Sequence, residues 1–355
     1  MRRKRMKRML ALMIFVCLLL SGCSRTETPV SKTDEVTEDP IKIGMSFDSF
    51  VIERWQRDRD VFVATAKEYG AQVNVQSANG DVDRQREQIE YFIESGMDVI
   101  VVICIDSGSL SEVVGDARKA GIKVIAYDRL LNDSAVDLYI SFDNAMVGRM
   151  MGEALYNSIL ASGGNNNVVM LGGSPKDNNV SLLEEGFLEV CDEKGMNVIG
   201  RMHADNWKAE LASEYVYNNE ETVMTASGIM CGNDTIAGSV IPVLAEMRLA
   251  GNVSVVGQDA DLDACQRIVE GTQLMTVYKP VEKLAKRAAS CAIALAKGER
   301  LEAEDVTEIN DGTFNVPYIA MEPVSVTKDN MNEVIIGSGF HLKEDVYLNV
   351  PELMP

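Results

Sequence analysis

The run Val99-Ile100-Val101-Val102-Ile103 is apolar without a break. A strand with one wet face alternates apolar and polar residues. An unbroken run fits a strand covered on both faces, as in a parallel sheet under helices. Its neighbours agree. Before it, Asp81–Ser95 has helical spacing, with Asp81 placed to cap the start and Gly96 to end it. After it, Ser109–Ala120 reads as a helix closed by Gly121, and Lys123–Tyr127 as the next strand. Upstream lie a strand at Ile41–Ser46, a helix over Glu53–Tyr69 closed by Gly70, and a strand at Ala71–Gln76. This alternation predicts a parallel sheet wrapped by helices.

The rhythm restarts after Asp143. Helices are predicted over Val147–Leu160, Ser181–Lys194, Ala209–Asn218, Thr235–Arg248, Leu262–Glu270 and Val281–Lys297. Strands are predicted at Asn167–Leu171, Asn197–Gly200, Gly228–Cys231, Val253–Val256 and Leu274–Tyr278, with a strand-like tail over Glu308–Val326. Two similar halves predict an α/β chain of two doubly wound parallel-sheet lobes. We expect one lobe over residues 41–142 with 279–320 and the other over 143–278 with 321–345. Ligands of such sheets bind at the carboxyl ends of the strands, so two lobes facing each other there make a cleft.

A chain of 355 residues exceeds what one compact core usually holds, which agrees with two lobes. The net charge is −20, and the first 22 residues carry only basic charges, leaving the rest near −26. Such an acidic body repels nucleic acid and suits a soluble domain.

The chain begins as a targeting segment. Arg2, Arg3, Lys4, Arg5, Lys7 and Arg8 precede an apolar stretch from Met9 to Leu20, short for a membrane span and right for a signal peptide over residues 1–22. It ends in Leu20-Ser21-Gly22-Cys23, which resembles the lipobox of bacterial lipoproteins, where the Cys is diacylated. Two acyl chains anchor a protein stably where one does not. Residues 23–40 then read as a flexible, polar tether. Cys104, Cys191, Cys231, Cys265 and Cys291 lie in apolar or helical contexts without CxxC spacing, so buried free thiols are expected.

Polar residues gather just after the predicted strands. Asp128-Arg129 follows Lys123–Tyr127, and a turn from Gly172 to Asn179 follows the strand ending at Leu171. Asn233-Asp234, Gln258-Asp259 and Lys279 each follow a strand of the second half. The chain has only two Trp: Trp55 opens the first helix beside Arg54, and Trp207 is predicted to open a helix in the second half. Each alone would serve as a cap, a turn or packing. Together they draw on both halves, always at the same end of the sheets. Their chemistry fits a neutral sugar. Arg, Asp and Asn address neighbouring hydroxyls, and indole rings cover apolar C–H faces. Arg54, Arg129 and Lys279 oppose Asp128 and Asp259 in near balance, as an uncharged ligand requires.

Glu53-Arg54-Trp55-Gln56-Arg57-Asp58-Arg59-Asp60, Val75-Gln76-Ser77-Ala78-Asn79-Gly80, Ala126-Tyr127-Asp128-Arg129, Tyr139-Ile140-Ser141-Phe142-Asp143-Asn144, Gly172-Gly173-Ser174-Pro175, Gly257-Gln258-Asp259-Ala260-Asp261 and Thr276-Val277-Tyr278-Lys279-Pro280 are similar to the D-xylose-binding proteins of bacterial ABC transporters. The similarity runs from about Ile41 to about His341. It implies a type I periplasmic-binding-protein fold, two lobes joined by a three-strand hinge. It implies sugar contacts from Arg54, Trp55, Asp128, Arg129, Asn179, Trp207, Asn233, Asp259 and Lys279, and an ABC permease as partner. The lipobox at Cys23 departs from the soluble leader of Gram-negative members and suggests a Gram-positive host with the protein tethered outside its membrane.

Catalysis is not expected. His203 and His341 lie far apart without metal-ligand spacing, and neither a GxSxG, a P-loop nor a GxGxxG occurs. Arg129 and Lys279 would keep both Asp128 and Asp259 ionised, leaving no raised general acid for a glycosidase. A repressor of this fold would carry a helix-turn-helix where the leader stands. We therefore expect a monomeric binding protein with no cofactor or metal. The rival reading keeps the sugar and changes the partner to a membrane histidine kinase.

Overall fold

The computed structural model describes residues 39–52, 54–301 and 306–355. The predicted leader, Cys23 and nearly all of the tether lie outside these residues.

The first half alternates as expected: β1 (Lys42–Phe47), α1 (Arg54–Glu68), β2 (Gln72–Ser77), α2 (Val82–Glu94), β3 (Val99–Val102), α3 (Ser111–Lys119) and β4 (Lys123–Tyr127). Asp81 caps α2, its carboxylate accepting from the N–H groups of Asp83 at 3.0 Å and Arg84 at 3.1 Å. A strand not anticipated from the sequence follows, β5 (Leu138–Phe142). No helix precedes it; it joins β4 through an irregular loop, which hides it from a reading of βα rhythm.

The second half runs α4 (Asn144–Ser162), β6 (Asn167–Gly172), α5 (Asn178–Lys194), β7 (Asn197–His203), α6 (Glu210–Asn218), α7 (Glu220–Met224), β8 (Gly228–Cys231), α8 (Asp234–Glu246), β9 (Ser254–Val256), α9 (Leu262–Glu270) and β10 (Met275–Tyr278). Then come α10 (Val281–Ala296), β11 (Thr307–Asn310), β12 (Asn315–Met321), β13 (Val324–Thr327) and a short α11 (Lys343–Val346). Two departures concern the site. α5 starts at Asn178, so Asn179 sits in a helix's first turn instead of the predicted loop. Trp207 does not open a helix; β7 runs three residues longer than predicted, and Trp207 ends a 3₁₀ turn (Asp205–Trp207) with φ of 59°.

Two sheets form. The first has the order β11-β12-β5-β4-β3-β1-β2 and the second β13-β10-β9-β8-β6-β7. Neighbours are parallel except where β11 meets β12 and β13 meets β10. The core explains the unbroken apolar run at Val99–Ile103. Val99 and Val101 point into one apolar cluster with α1 and α10, and Ile100 and Val102 into another with α2 and α3. All four are fully buried. The second sheet divides likewise: Val169, Leu171 and Ile229 face α6 and α8, whereas Val168, Met170 and Met230 face α4 and α5. Among the described residues the chain passes between the sheets after β5, after β10 and after β12, a hinge of three segments. Among the described residues Cys104, Cys191, Cys231, Cys265 and Cys291 are all buried.

Candidate functional site

Parallel strands all point their carboxyl ends the same way, so the residues just after them converge. Here β4 delivers Asp128 and Arg129, β6 leads to Gly173, Asp177 and Asn179, and β7 to Trp207. β8 delivers Gly232, β9 Gln258 and Asp259, and β10 Lys279. With Arg54 and Trp55 from the start of α1 they line one cavity of about 420 Å³, mouth included. Thus Arg54, Trp55, Asp128, Arg129, Asn179, Trp207, Asp259 and Lys279 come together. Asn233 is buried next to Gly232 but is not among the lining residues; its Oδ1 accepts from Ile236 N at 2.9 Å and caps α8.

The charges are paired. Arg54 Nη1 lies 2.9 Å from Asp128 Oδ2, and its Nη2 3.0 Å from Asp58 Oδ1. Its guanidinium stands 4.5 Å from the Trp55 ring centre. Arg129 Nη1 meets Asp48 Oδ2 at 2.7 Å and Arg129 Nε meets Asp177 Oδ2 at 2.6 Å. Lys279 Nζ lies 3.3 Å from Asp259 Oδ1. The near balance expected from the sequence is therefore corrected: Asp48, Asp58 and Asp177 join Asp128 and Asp259 around the same three cations. Asp48 follows β1 and Asp177 lies in the turn after β6, so strand ends could have revealed them. Asp58 stands four residues after Arg54 on one helix face.

Burial lowers the Arg54 pKa, but Asp128 and then Asp58 outweigh it and hold the guanidinium well above its usual value. Burial raises Asp128, yet the opposing charges of Arg54, Lys279 and Arg129 hold it below the usual carboxylate range. Asp177 is pushed up, chiefly by burial, against the pull of Arg129.

The walls of the two sheets meet beside the cavity. Asn179 Nδ2 donates to the Asp128 carbonyl and to Asp128 Oδ1, each at 3.0 Å. Ser107 N donates to Lys176 O at 3.1 Å. Asp128 has φ of 64°, and its carbonyl also accepts from Ser141 Oγ at 2.6 Å.

Several buried polar atoms nonetheless keep capacity for a guest. Among the described residues the indole N–H groups of Trp55 and Trp207 and the Gln258 Oε1 have no hydrogen-bond partner. Asp128 Oδ2 and Asp259 Oδ1 face their cations outside hydrogen-bonding angles. A buried polar atom left unpaired costs about 1–3 kcal/mol. Donors and acceptors side by side, beside two indoles and charges already paired, suit an uncharged, hydroxyl-rich molecule.

The chain belongs to the periplasmic binding protein family: residues 43–300 match the periplasmic binding protein domain. It is 44% identical to the D-xylose-binding periplasmic protein of Haemophilus influenzae, covering 86% of this chain and 92% of that one. It is 41% identical, at the same coverage, to the D-xylose-binding periplasmic protein of Escherichia coli. Among solved structures it resembles an ABC transporter solute binding protein from Clostridium phytofermentans with bound β-D-glucose. That likeness has a TM-score of 0.78 and 28% identity over 86% of this chain and 99% of that one. These relatives are binding proteins, and this chain too is a binding protein and not an enzyme.

Proposed function

We propose that the protein is an extracytoplasmic lipoprotein that captures D-xylose, or a closely related aldopyranose, in this cavity and delivers it to an ABC permease. The observation that carries the proposal is the coincidence, in one cavity, of paired charges, unpartnered buried donors and acceptors, and both tryptophans. Each hydroxyl of a pyranose both donates and accepts, and such a molecule satisfies these atoms without separating the ion pairs. Kinship at 41–44% with D-xylose-binding proteins selects the pentose. Arg54, Trp55, Asp128, Arg129, Asn179, Trp207, Asp259 and Lys279 are the proposed contacts, with Asn233 contributing at the rim of Gly232. The lobes are taken as residues 41–142 with 279–320 and 143–278 with 321–345. The protein acts as a monomer held to the cell membrane by lipid on Cys23.

A titration of intrinsic fluorescence with D-xylose tests the reading. Both tryptophans line the cavity, so a saturable change is expected. A flat titration, with no heat by calorimetry, would contradict it.

A further inference from the structure

Asp234 stands behind the cavity wall, not in it. It is the first residue of α8, fully buried, and absent from the lining. Its carboxylate receives three hydrogen bonds, from Thr276 Oγ1 at 2.6 Å, Gln273 Nε2 at 2.8 Å and Asp261 N at 3.2 Å. All three donors are neutral. Arg267 donates instead to the Asp234 backbone oxygen and to Gln273 Oε1, each at 3.0 Å. Burial pushes the Asp234 pKa up to about 7, against the Thr276 hydrogen bond and the Arg267 charge. Where burial outweighs the hydrogen bonds, as here, the charged form is disfavoured, and such groups cluster at functional sites.

What Asp234 holds is the loop from Gly257 to Asp261. Asp259 and Ala260 adopt φ of 96° and 56°, a conformation that side chains disfavour. The Ala260 N–H donates to Thr276 Oγ1 at 3.1 Å, and the Thr276 hydroxyl donates onward to Asp234. The next N–H, of Asp261, reaches Asp234 directly. Asp234 N in turn donates to the Gln258 carbonyl at 3.0 Å. Residue 257 must be glycine, because a Cβ there would lie 2.2 Å from Asp234 Oδ1. This loop carries Gln258 and Asp259, which line the cavity.

We propose that Asp234 is a positioning residue for sugar binding: from behind the wall it fixes the backbone of residues 257–261 so that Gln258 and Asp259 face the ligand. The inference rests on the sugar-binding reading above. A carboxylate is needed because every group converging on it donates, and an amide would turn its own N–H₂ toward one of them.

The test compares D-xylose affinity, by calorimetry, for wild type, Asp234→Asn, Asp259→Asn and the double variant, each shown to be folded by circular dichroism. Asp234→Asn is expected to weaken binding about tenfold. In the Asp259→Asn background the same change is expected to cost less than about threefold, since the group it positions is already altered. Should wild type prefer another pentose or hexose, the sugar assignment fails and the four proteins are compared on that sugar, so the positioning claim is judged separately. Should Asp234→Asn not fold, Thr276→Ser, which keeps the hydroxyl, is expected to bind as wild type, and Thr276→Val about tenfold more weakly. Wild-type affinity in folded Asp234→Asn, an undiminished loss in the Asp259→Asn background, or equal affinities of the two Thr276 variants would overturn the proposal.

Discussion

The six-membered ring of Trp207 fills the space that a side chain at residue 173 would need: a Cβ on Gly173 would lie 2.3 Å from the ring. The glycine after β6 and the indole after β7 thus form one element of the cavity wall. Gly173→Ala must displace the indole. It is expected to weaken sugar binding by roughly 1–3 kcal/mol, the range for losing an aromatic stack, as is Trp207→Ala. Calorimetry on the folded variants checks this. Unchanged affinity in Trp207→Ala would remove the indole from the site.

Asp259 and Lys279 follow neighbouring strands and pair within the cavity wall, 3.3 Å apart. Asp259→Ala leaves a buried cation unpaired, so it should cost more than one neutral hydrogen bond. The double change to Ala should cost less than the two single changes summed. A double-mutant cycle on sugar affinity measures the difference, and strict additivity would count against direct coupling.

The sequence made the βα rhythm, the buried β3 run and most of the cavity legible, because both the apolar period and the strand-end rule are local signals. It hid what depends on distant partners. β5 lacks a helix before it, and its loop is held from afar by Asp311. Asp177 looked like a turn residue until the fold set it against Arg129. Asp234 read, with Asn233, as one of the polar residues that follow a strand. The fold gives Asn233 the cap and turns Asp234 onto the loop carrying Asp259.

Asp311 accepts four backbone N–H groups, from Ser134 at 3.0 Å, Ala135 at 2.8 Å, Thr313 at 3.0 Å and Phe314 at 2.7 Å. Burial raises its pKa, but these donors outweigh burial and hold it below the usual range. The folded state therefore binds fewer protons than the unfolded chain near the ordinary carboxylate value of about 4. Stability from this group is present above that value and lost as pH falls through the folded pKa. Asp311→Asn should cost about 1–3 kcal/mol at neutral pH. Melting temperatures across acidic pH should fall more steeply for wild type than for the variant; parallel curves would refute this role.

The proposed lipid anchor rests on Cys23, which follows a basic and then apolar stretch in a lipobox-like string. Cys23→Ala should release the protein from the membrane fraction or block its maturation. Fractionation of cells with an antibody to the protein reads this out. A variant that stays membrane-bound and is cleaved normally would exclude the anchor.

We propose that this cavity holds a neutral pentopyranose. Calorimetry of the mature protein with D-xylose, D-ribose, L-arabinose, D-glucose and D-galactose tests it most directly. D-xylose is expected to bind with a dissociation constant of about 1 μM or tighter, roughly −8 kcal/mol. Epimers should bind more weakly by about 1–3 kcal/mol for each buried polar group they leave unpaired. D-glucose shares the ring hydroxyls of xylose and adds a hydroxymethyl group, so equal binding of the two would remove only discrimination by size. Tight binding of ribose or galactose with no heat from D-xylose would contradict the assignment of D-xylose.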